Sequence, residues 1–504
     1  MSQINETAIR TPGVYTTEIP TLPPSVAQVS TAIPAFIGYT QKSVDEVGDP
    51  LLNIPTKIFS LKDYEQFFGF PENETGITVT ITKTMDTSVV PAKLISLTGK
   101  ATITNPATHN MHHCLRLYFE NGGGPCYIVS VGPTNVPASP PSLSPPASPI
   151  PTLIDANELQ AGLDALKAYD EPTIIVFPEG QGITGEGDYY SLISQAIEQC
   201  RILQDRFTLV DIHHSLPVPP SIPPPTPVVP NTTNTIVHFR TAFGKTDYLN
   251  YAAAYYPNLK TTFDYTFNDY DVDVVVVTNS VSALPVSLDT LKNSDNAVYN
   301  LCLDTIRSQL SPTLPPSPAM AGIYAKVDGS RGVWKAPANV SVNSIYDVTD
   351  LVTDDEQDDM NIDPGSGKSV NAIRPFTGKG ILVWGARTLD GNSSEWKYVS
   401  VRRFFIMVEE SAKKATFPFV FEPNDANTWV KVRAMLENYL TLLWRQGALA
   451  GAKPEQAFFV KCGIGTTMTS QDVLDGRLIV EIGMAAVRPA EFIILRFMHK
   501  LQES

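Results

Sequence analysis

The chain has 504 residues, 43% of them hydrophobic, with a formal net charge of −15 and an isoelectric point near 5.0. That length supports two to four domains with sizeable cores, the acidic balance argues against a nucleic-acid binder, and no apolar run reaches membrane-spanning length. Five cysteines without a CxxC pair (Cys114, Cys126, Cys200, Cys302, Cys462) fit synthesis in a reduced cytosol and no zinc site, and the N-terminus MSQINETAIRTPGVY lacks the apolar core of a signal peptide.

Residues 1–20 read as an extended arm. Thr11-Pro12-Gly13 precedes the strand-like run VYTTEI, and Pro20, Pro23 and Pro24 follow it. Twenty extended residues reach roughly 65 Å, whereas a domain of about 140 residues has a radius of gyration of only ~14 Å. Such an arm can touch more than its own domain. Thr31–Thr40 is a buried-strand candidate. Ser60 and Asp63 make a capping-box-like start to a short helix ending near Gly69. Residues 71–110, rich in Thr, Val and Ile with period-two patches, read as a small β-rich insertion. A helix ending at Asn121-Gly122 and a strand from Cys126 to Val131 come next.

Pro133–Thr152 holds eight prolines in twenty residues and Pro217–Pro230 holds eight in fourteen. This composition favours polyproline II, and stiff exposed loops explain it better than a docking motif. Between the two stretches the pattern is α/β. Asp155 opens a helix with Leu159, Leu163 and Leu166 on one face, and Thr173–Phe177 is an apolar strand. Asp188 opens a helix through Leu192, Ala196, Cys200 and Leu203, and Thr208–Ile212 is the next strand. Tyr251–Tyr256, Val272–Val277 and a helix from Asp295 to Leu310 continue the unit. Asp347–Asp363 carries eight acidic residues and no Lys or Arg. It lacks the glycine and spacing of a calcium-binding EF-hand, so a solvated loop or charged contact face is expected.

Three places look like chemistry. Gly365-Ser-Gly-Lys368-Ser369 ends like a phosphate-binding loop, but Ile362 stands where that motif needs glycine and no apolar strand leads in. His112-His113 and His213-His214 are adjacent pairs, which do not face one ligand together. Asp211 and His213 share a face after a strand, yet no glycine-rich turn or nucleophile accompanies them. A strand-end Asp and an exposed His are expected there.

The C-terminal region carries the strongest pattern. A helix from Asn427 to Arg445 can be capped by Asn424 or Asp425 and ended by Gly447. Val432, Leu436, Tyr439 and Leu443 cluster on one side, while Lys431, Asn438 and Arg445 line the other at seven-residue spacing. Two strands are expected after it, Leu478–Glu481 and Phe492–Leu495, split by Arg488-Pro489. A strand that ends a chain can pair with another molecule's sheet.

The phrases RRFFIMVEES, FVFEPND, LWRQGAL, EQAFFVKC, GRLIVEIG and VRPAEFIILR, in this order, resemble the contractile sheath proteins of phage tails, pyocins and phage-tail-like injection particles. PGVYTTEI, YAAAYYPNL, AGIYAKVDGSRGVWKAPAN and NAIRPFTGKGILVWGARTL extend the resemblance almost end to end, with a departure at GSGKSV. The resemblance implies an α/β (mixed α+β) multidomain chain. Residues 1–20 would be a linker arm. Residues 21–60 and 365–504 would form a sheath core domain, with a C-terminal arm at about 478–504. Residues 61–70 and 111–364 would form a middle α/β domain bearing the β-rich insertion 71–110.

Val14, Tyr15, Ile19, Leu478, Val480, Ile482, Phe492 and Ile494 would then lie in inter-subunit arms, and Lys431, Asn438 and Arg445 would face an inner tube. The implied function is a structural subunit that polymerises as stacked hexameric rings around the tube and contracts to drive it through a target envelope. Implied partners are further copies, the tube protein, baseplate and terminator or cap proteins, and paralogous sheath subunits. Neither nucleic acid nor direct membrane insertion is implied, and no catalytic residue, cofactor or metal. The subunit would be made in the bacterial cytoplasm and end in a phage tail or released extracellular particle. A baseplate component is the alternative, followed by a soluble α/β enzyme, which would need a catalytic set that the spacing does not supply.

Overall fold

A computed structural model describes residues 26–104, 106–136, 150–213, 232–244 and 247–496. The chain forms two compact units. One, here the body, comprises Ser30–Met407 with Arg488–Ser504. The other, the terminal unit, joins Met1–Val29 to Val408–Val487.

The body is built on a nine-stranded sheet. Its central strands run in the spatial order Cys126–Pro133, Pro34–Thr40, Ile174–Val176, Phe207–Asp211, Ala252–Tyr256 and Val370–Phe376, all parallel. Thr56–Ile58 closes one edge, and Gly380–Val383 with Val340–Ser341 closes the other, each antiparallel to its neighbour. Every residue of Pro34–Thr40 is buried, as a parallel strand covered on both faces requires. Local caps set the helices between strands. The Ser60 hydroxyl accepts from Asp63 N at the start of Leu61–Phe68, and the Asp155 carboxylate accepts from Asn157 N at the start of Ala156–Ala165.

This sheet redraws the expected domain boundaries. Pro34–Thr40 and Val370–Phe376, expected in the core domain, lie in one sheet with Ile174–Val176 and Phe207–Asp211, expected in the middle domain. The reason is long-range: apolar strands gain by burying both faces against one another, whatever their separation in sequence.

Residues 71–110 are likewise not a self-contained insertion. The hairpin Ile77–Asp86/Lys93–Ile103 is joined by Val272–Thr278, parallel to its first strand, and by the helices Leu288–Ser294 and Asn296–Gln309. Ile77, Val79, Ile81, Val272, Val274, Leu288, Val298, Cys302 and Ile306 make its separate apolar core. A hairpin alone buries too little to stand, and the segment expected to continue the main α/β unit completes this one instead. Gly99 lets the second helix approach closely, since a β-carbon there would meet Thr305 Oγ1 at 2.3 Å. At the outer side of Lys93–Ile103, Gln309 Nε2 donates to Gly99 O at 3.1 Å and Gln309 Oε1 accepts from Ala101 N at 2.9 Å.

The acidic run is not wholly a loop. Asp354–Asn361 is helical, started by a capping box between Thr353 and Glu356 and held by buried Met360. Three acidic residues in its first turn suit the positive end of the helix dipole.

The terminal unit contains the helix Ala426–Arg445, capped by Asp425, whose carboxylate accepts from Thr428 N. Asn424 serves next to the cap, accepting from Trp429 Nε1 at 2.7 Å and donating to Arg477 O at 2.9 Å. The helix packs against Phe458–Cys462, which pairs antiparallel with Val480–Met484 in a two-stranded ribbon. The expected strand Leu478–Glu481 therefore starts two residues later, and Leu478 precedes the ladder. The expected strand Phe492–Leu495 does not form within the chain: these residues belong to no ladder and are 66%, 79%, 79% and 71% exposed. The β-propensity is there, but no strand among the described residues pairs with it.

Candidate assembly surfaces

The places that resemble chemistry are occupied by the chain itself. Lys368 is buried, and its Nζ donates to Arg240 O at 2.9 Å and to Gly244 O, so its ammonium is engaged by the chain's own carbonyls. Asp211 is buried beneath the start of the helix Ser317–Arg331, accepting from Ser317 N at 2.8 Å and from the Ser317 hydroxyl. Burial pushes its carboxyl up to about 7 against those bonds. His213 is buried rather than exposed, with Nε2 2.9 Å from Ile183 O. His214 lies outside the described residues. His112 meets Glu65 at 3.1 Å, and His113 is buried, its pKa lowered to about 4 by desolvation.

The strand order reverses at Pro34–Thr40, where doubly wound enzymes hold ligands. Here Glu179 fills that point. Its carboxylate accepts from Tyr39 N at 2.7 Å and Met111 N at 3.3 Å, and a β-carbon on Gly38 would lie 2.7 Å from it. Among the described residues no group of acidic, His or Cys side chains could hold a metal ion, and no helix is long and apolar enough to cross a membrane.

What the fold does present is surface. On the helix Ala426–Arg445, Val432, Met435, Leu436, Tyr439, Leu440 and Leu443 are buried, and Lys431, Asn438 and Arg445 are exposed. Spaced seven residues apart, the three polar side chains span about 21 Å. Arg433 and Glu437, 3.8 Å apart on the flank, are a separate ion pair.

The ribbon presents an open ladder. Ala485 N donates to Ala457 O, so along the same strand the peptide groups of Val480, Ile482 and Met484 turn the opposite way. No strand among the described residues pairs with that side. The side chains of Val480 and Ile482 are half-buried opposite Cys462 and Val460, so they serve their own unit. On the ribbon's other face the Phe459 ring covers Gly483, where a β-carbon would meet it at 2.2 Å.

At Thr31 and at Glu491 the body holds its own backbone through guanidinium–carboxylate pairs. Near the N-terminal segment, Arg403 donates to Thr31 O at 2.6 Å and pairs with Asp328 at 2.6 Å, and Asp328 accepts from the Thr31 hydroxyl at 2.6 Å. Near the C-terminus, Glu491 pairs with Arg387 at 2.6 Å. Beyond it Phe492 and Ile494 stand exposed with their neighbours. Val14, Tyr15 and Ile19 lie outside the described residues. Sequence reading passed over Arg387, Arg403, Asp328 and Glu491. For Arg403 and Glu491 the available signal was charge inside otherwise apolar phrases, RRFF and PAEFII.

A self-filled α/β body, an open ladder and an unpaired apolar end are the features of a structural protein that assembles with further copies. Residues 392–499 match the model of the phage tail sheath C-terminal domain. The tail sheath protein of Vibrio phage KVP40 is 24% identical over 186 residues, which is 37% of this chain and only 26% of that protein. A chain in the anti-feeding prophage baseplate is 30% identical with a TM-score of 0.59, covering 98% of this chain and 100% of that one. A chain in the contracted sheath complex of PVC, an extracellular contractile injection system, is 30% identical with a TM-score of 0.58, covering 98% and 99%. The chain belongs to the contractile tail sheath protein family, whose members are structural proteins.

Proposed function

We propose that this chain is the subunit of a contractile sheath that polymerises as stacked hexameric rings around an inner tube. The observation that carries the reading is the pairing of an unpaired apolar terminal run, Phe492–Leu495, with an open ladder edge on Val480–Met484 in the same molecule. Each copy offers a strand and a place to put one. Arms from both ends add strands to neighbouring copies, linking subunits within and between rings. On triggering, the sheath shortens and widens while those links act as hinges, and the tube is driven through a target envelope. The extended state is metastable, so the energy is stored at assembly and no nucleotide is consumed. Self-filling of the sheet's switch point by Glu179 supports a subunit without catalysis. The Lys431, Asn438 and Arg445 stripe faces the tube. Baseplate and cap proteins complete the particle, whether a phage tail or an extracellular injector.

The match to a chain in a baseplate structure favours one second reading, a baseplate component. Electron microscopy of the purified chain separates the two. Long hollow cylinders are expected from the full chain, and soluble, cooperatively melting subunits without cylinders from a chain lacking residues 1–19. Short closed rings alone from the full chain would favour the baseplate. Normal cylinders from the truncated chain would remove the N-terminal arm from the mechanism.

A further inference from the structure

After the ribbon, the chain is gripped at Glu491 before it becomes largely exposed. Glu491 Oε1 accepts from Arg387 Nε and Asn361 Nδ2, both at 2.9 Å. Its Oε2 accepts from Arg387 Nη2 at 2.6 Å and from the Tyr398 hydroxyl at 3.2 Å. Arg387 is itself fixed. Its Nη1 donates to Asn361 O at 3.0 Å and its backbone N donates to Asn371 Oδ1 at 2.7 Å. The Arg387 side chain is 5% exposed and that of Glu491 20%. The geometry is a fork-to-fork guanidinium–carboxylate pair, which fixes orientation as well as position.

An ion pair that serves the fold ties two packed elements together. This one ties a packed surface to a residue whose next four successors, Phe492 to Leu495, are largely exposed and join no ladder among the described residues. What it gains is therefore control of where those successors go.

We propose that Glu491 is the positioning residue of the C-terminal arm. Its clasp on Arg387, Asn361 and Tyr398 sets the point and direction at which Phe492 and the residues after it leave the body, so that the arm meets the open ladder of a second copy already oriented. This rests on the sheath reading. The clasp also divides the expected arm 478–504 in two: residues up to Glu491 stay with their own chain, and only those beyond it are exchanged. Holding the root reduces the freedom that docking would otherwise remove, which is how preorganisation raises affinity without adding a contact.

The test measures the critical concentration for self-assembly of the purified full chain, by light scattering and electron microscopy. Melting temperature is recorded alongside it. Three variants are compared: Glu491→Gln, Tyr398→Phe and a chain ending at Glu491. The truncated chain should form no cylinders at any concentration. Glu491→Gln keeps an acceptor oxygen on the Arg387 guanidinium, so it should lower the melting temperature only modestly yet need about tenfold more protein to assemble, and raising its concentration should restore normal cylinders. A merely structural role would lower the melting temperature strongly and would not be rescued by concentration. Tyr398→Phe should shift assembly in the same direction by about threefold, one neutral hydrogen bond being worth less than a charged pair. A parental critical concentration for Glu491→Gln, with the truncated chain inactive, overturns the clasp and leaves the sheath reading standing. Normal cylinders from the truncated chain overturn the sheath arm itself. If Glu491→Gln does not fold, an unchanged critical concentration for Tyr398→Phe overturns the clasp.

Discussion

Arg403 offers the sharpest test of what secures Thr31 within the body. Its side chain and that of Asp328 are 4% and 7% exposed, and they form two hydrogen bonds at 2.6 and 3.0 Å. The guanidinium also lies 4.5 Å from the Tyr324 ring centroid and donates to Thr31 O. Arg403→Met keeps most of the stem's volume but strands a buried carboxylate. Removing one partner of such a pair costs about 3–5 kcal/mol. The double variant Arg403→Met/Asp328→Leu leaves no stranded charge, and a well-packed apolar replacement of both partners is often close to neutral. It still deprives the Thr31 carbonyl and hydroxyl of partners, at roughly 1 kcal/mol each. The double variant should thus be only about 2 kcal/mol less stable than the parent, and more stable than Arg403→Met alone. Urea unfolding followed by tryptophan fluorescence reads this directly, because Trp334 packs edge-on against Phe404 with ring centroids 6.3 Å apart. A cost below about 1 kcal/mol for Arg403→Met, or a double variant as damaged as the sum of the singles, would refute a buried pair that secures Thr31.

Three further outcomes are expected. The double reversal Lys431→Glu/Arg445→Glu should change monomer stability by under about 0.5 kcal/mol, because both side chains are exposed, and should impair extended assembly on tubes while sparing tube-free polymer. Normal yields of extended particles would release the stripe from a tube-facing role. Because folding raises the Asp211 carboxyl from 3.8 to about 7, its stabilising contribution is complete below about pH 4 and is lost as pH rises through 7. Between those values stability falls by up to about 1.4 kcal/mol per pH unit. Asp211→Asn should flatten that slope in urea titrations at pH 5, 6 and 7, and an unchanged slope would assign it to other groups. Shortening Ser139–Pro149, whose flanks Asn135–Val136 and Ile150–Pro151 pair antiparallel, should move stability by well under 1 kcal/mol. A large fall in melting temperature with loss of assembly would place the loop in a packed interface.

What the sequence made legible was local. Ser60 and Asp63 announced a helix start, and the spacing of Lys431, Asn438 and Arg445 announced an exposed stripe, because caps and helical faces depend on neighbours within a few residues. Partnership across the chain was not legible. Nothing at Ile77 names Val272 as its ladder neighbour, and nothing at Glu491 names Arg387. The strand expected at Phe492–Leu495 shows the same limit from the other side: a propensity without a partner in its own chain. The helix Asp354–Asn361 was obscured by its acidity, although Thr353 and Glu356 carried a capping-box signal that outweighs it.

Gln309 bears on how such a particle stays orderly. Its side-chain amide answers Gly99 O and Ala101 N, two of the peptide groups that Lys93–Ile103 would otherwise offer to any passing strand. If the sheath grows by exchanging strands, as proposed, every surplus edge would compete with the intended one for each incoming strand. Gln309 withdraws two peptide groups of this edge from that competition before two copies meet.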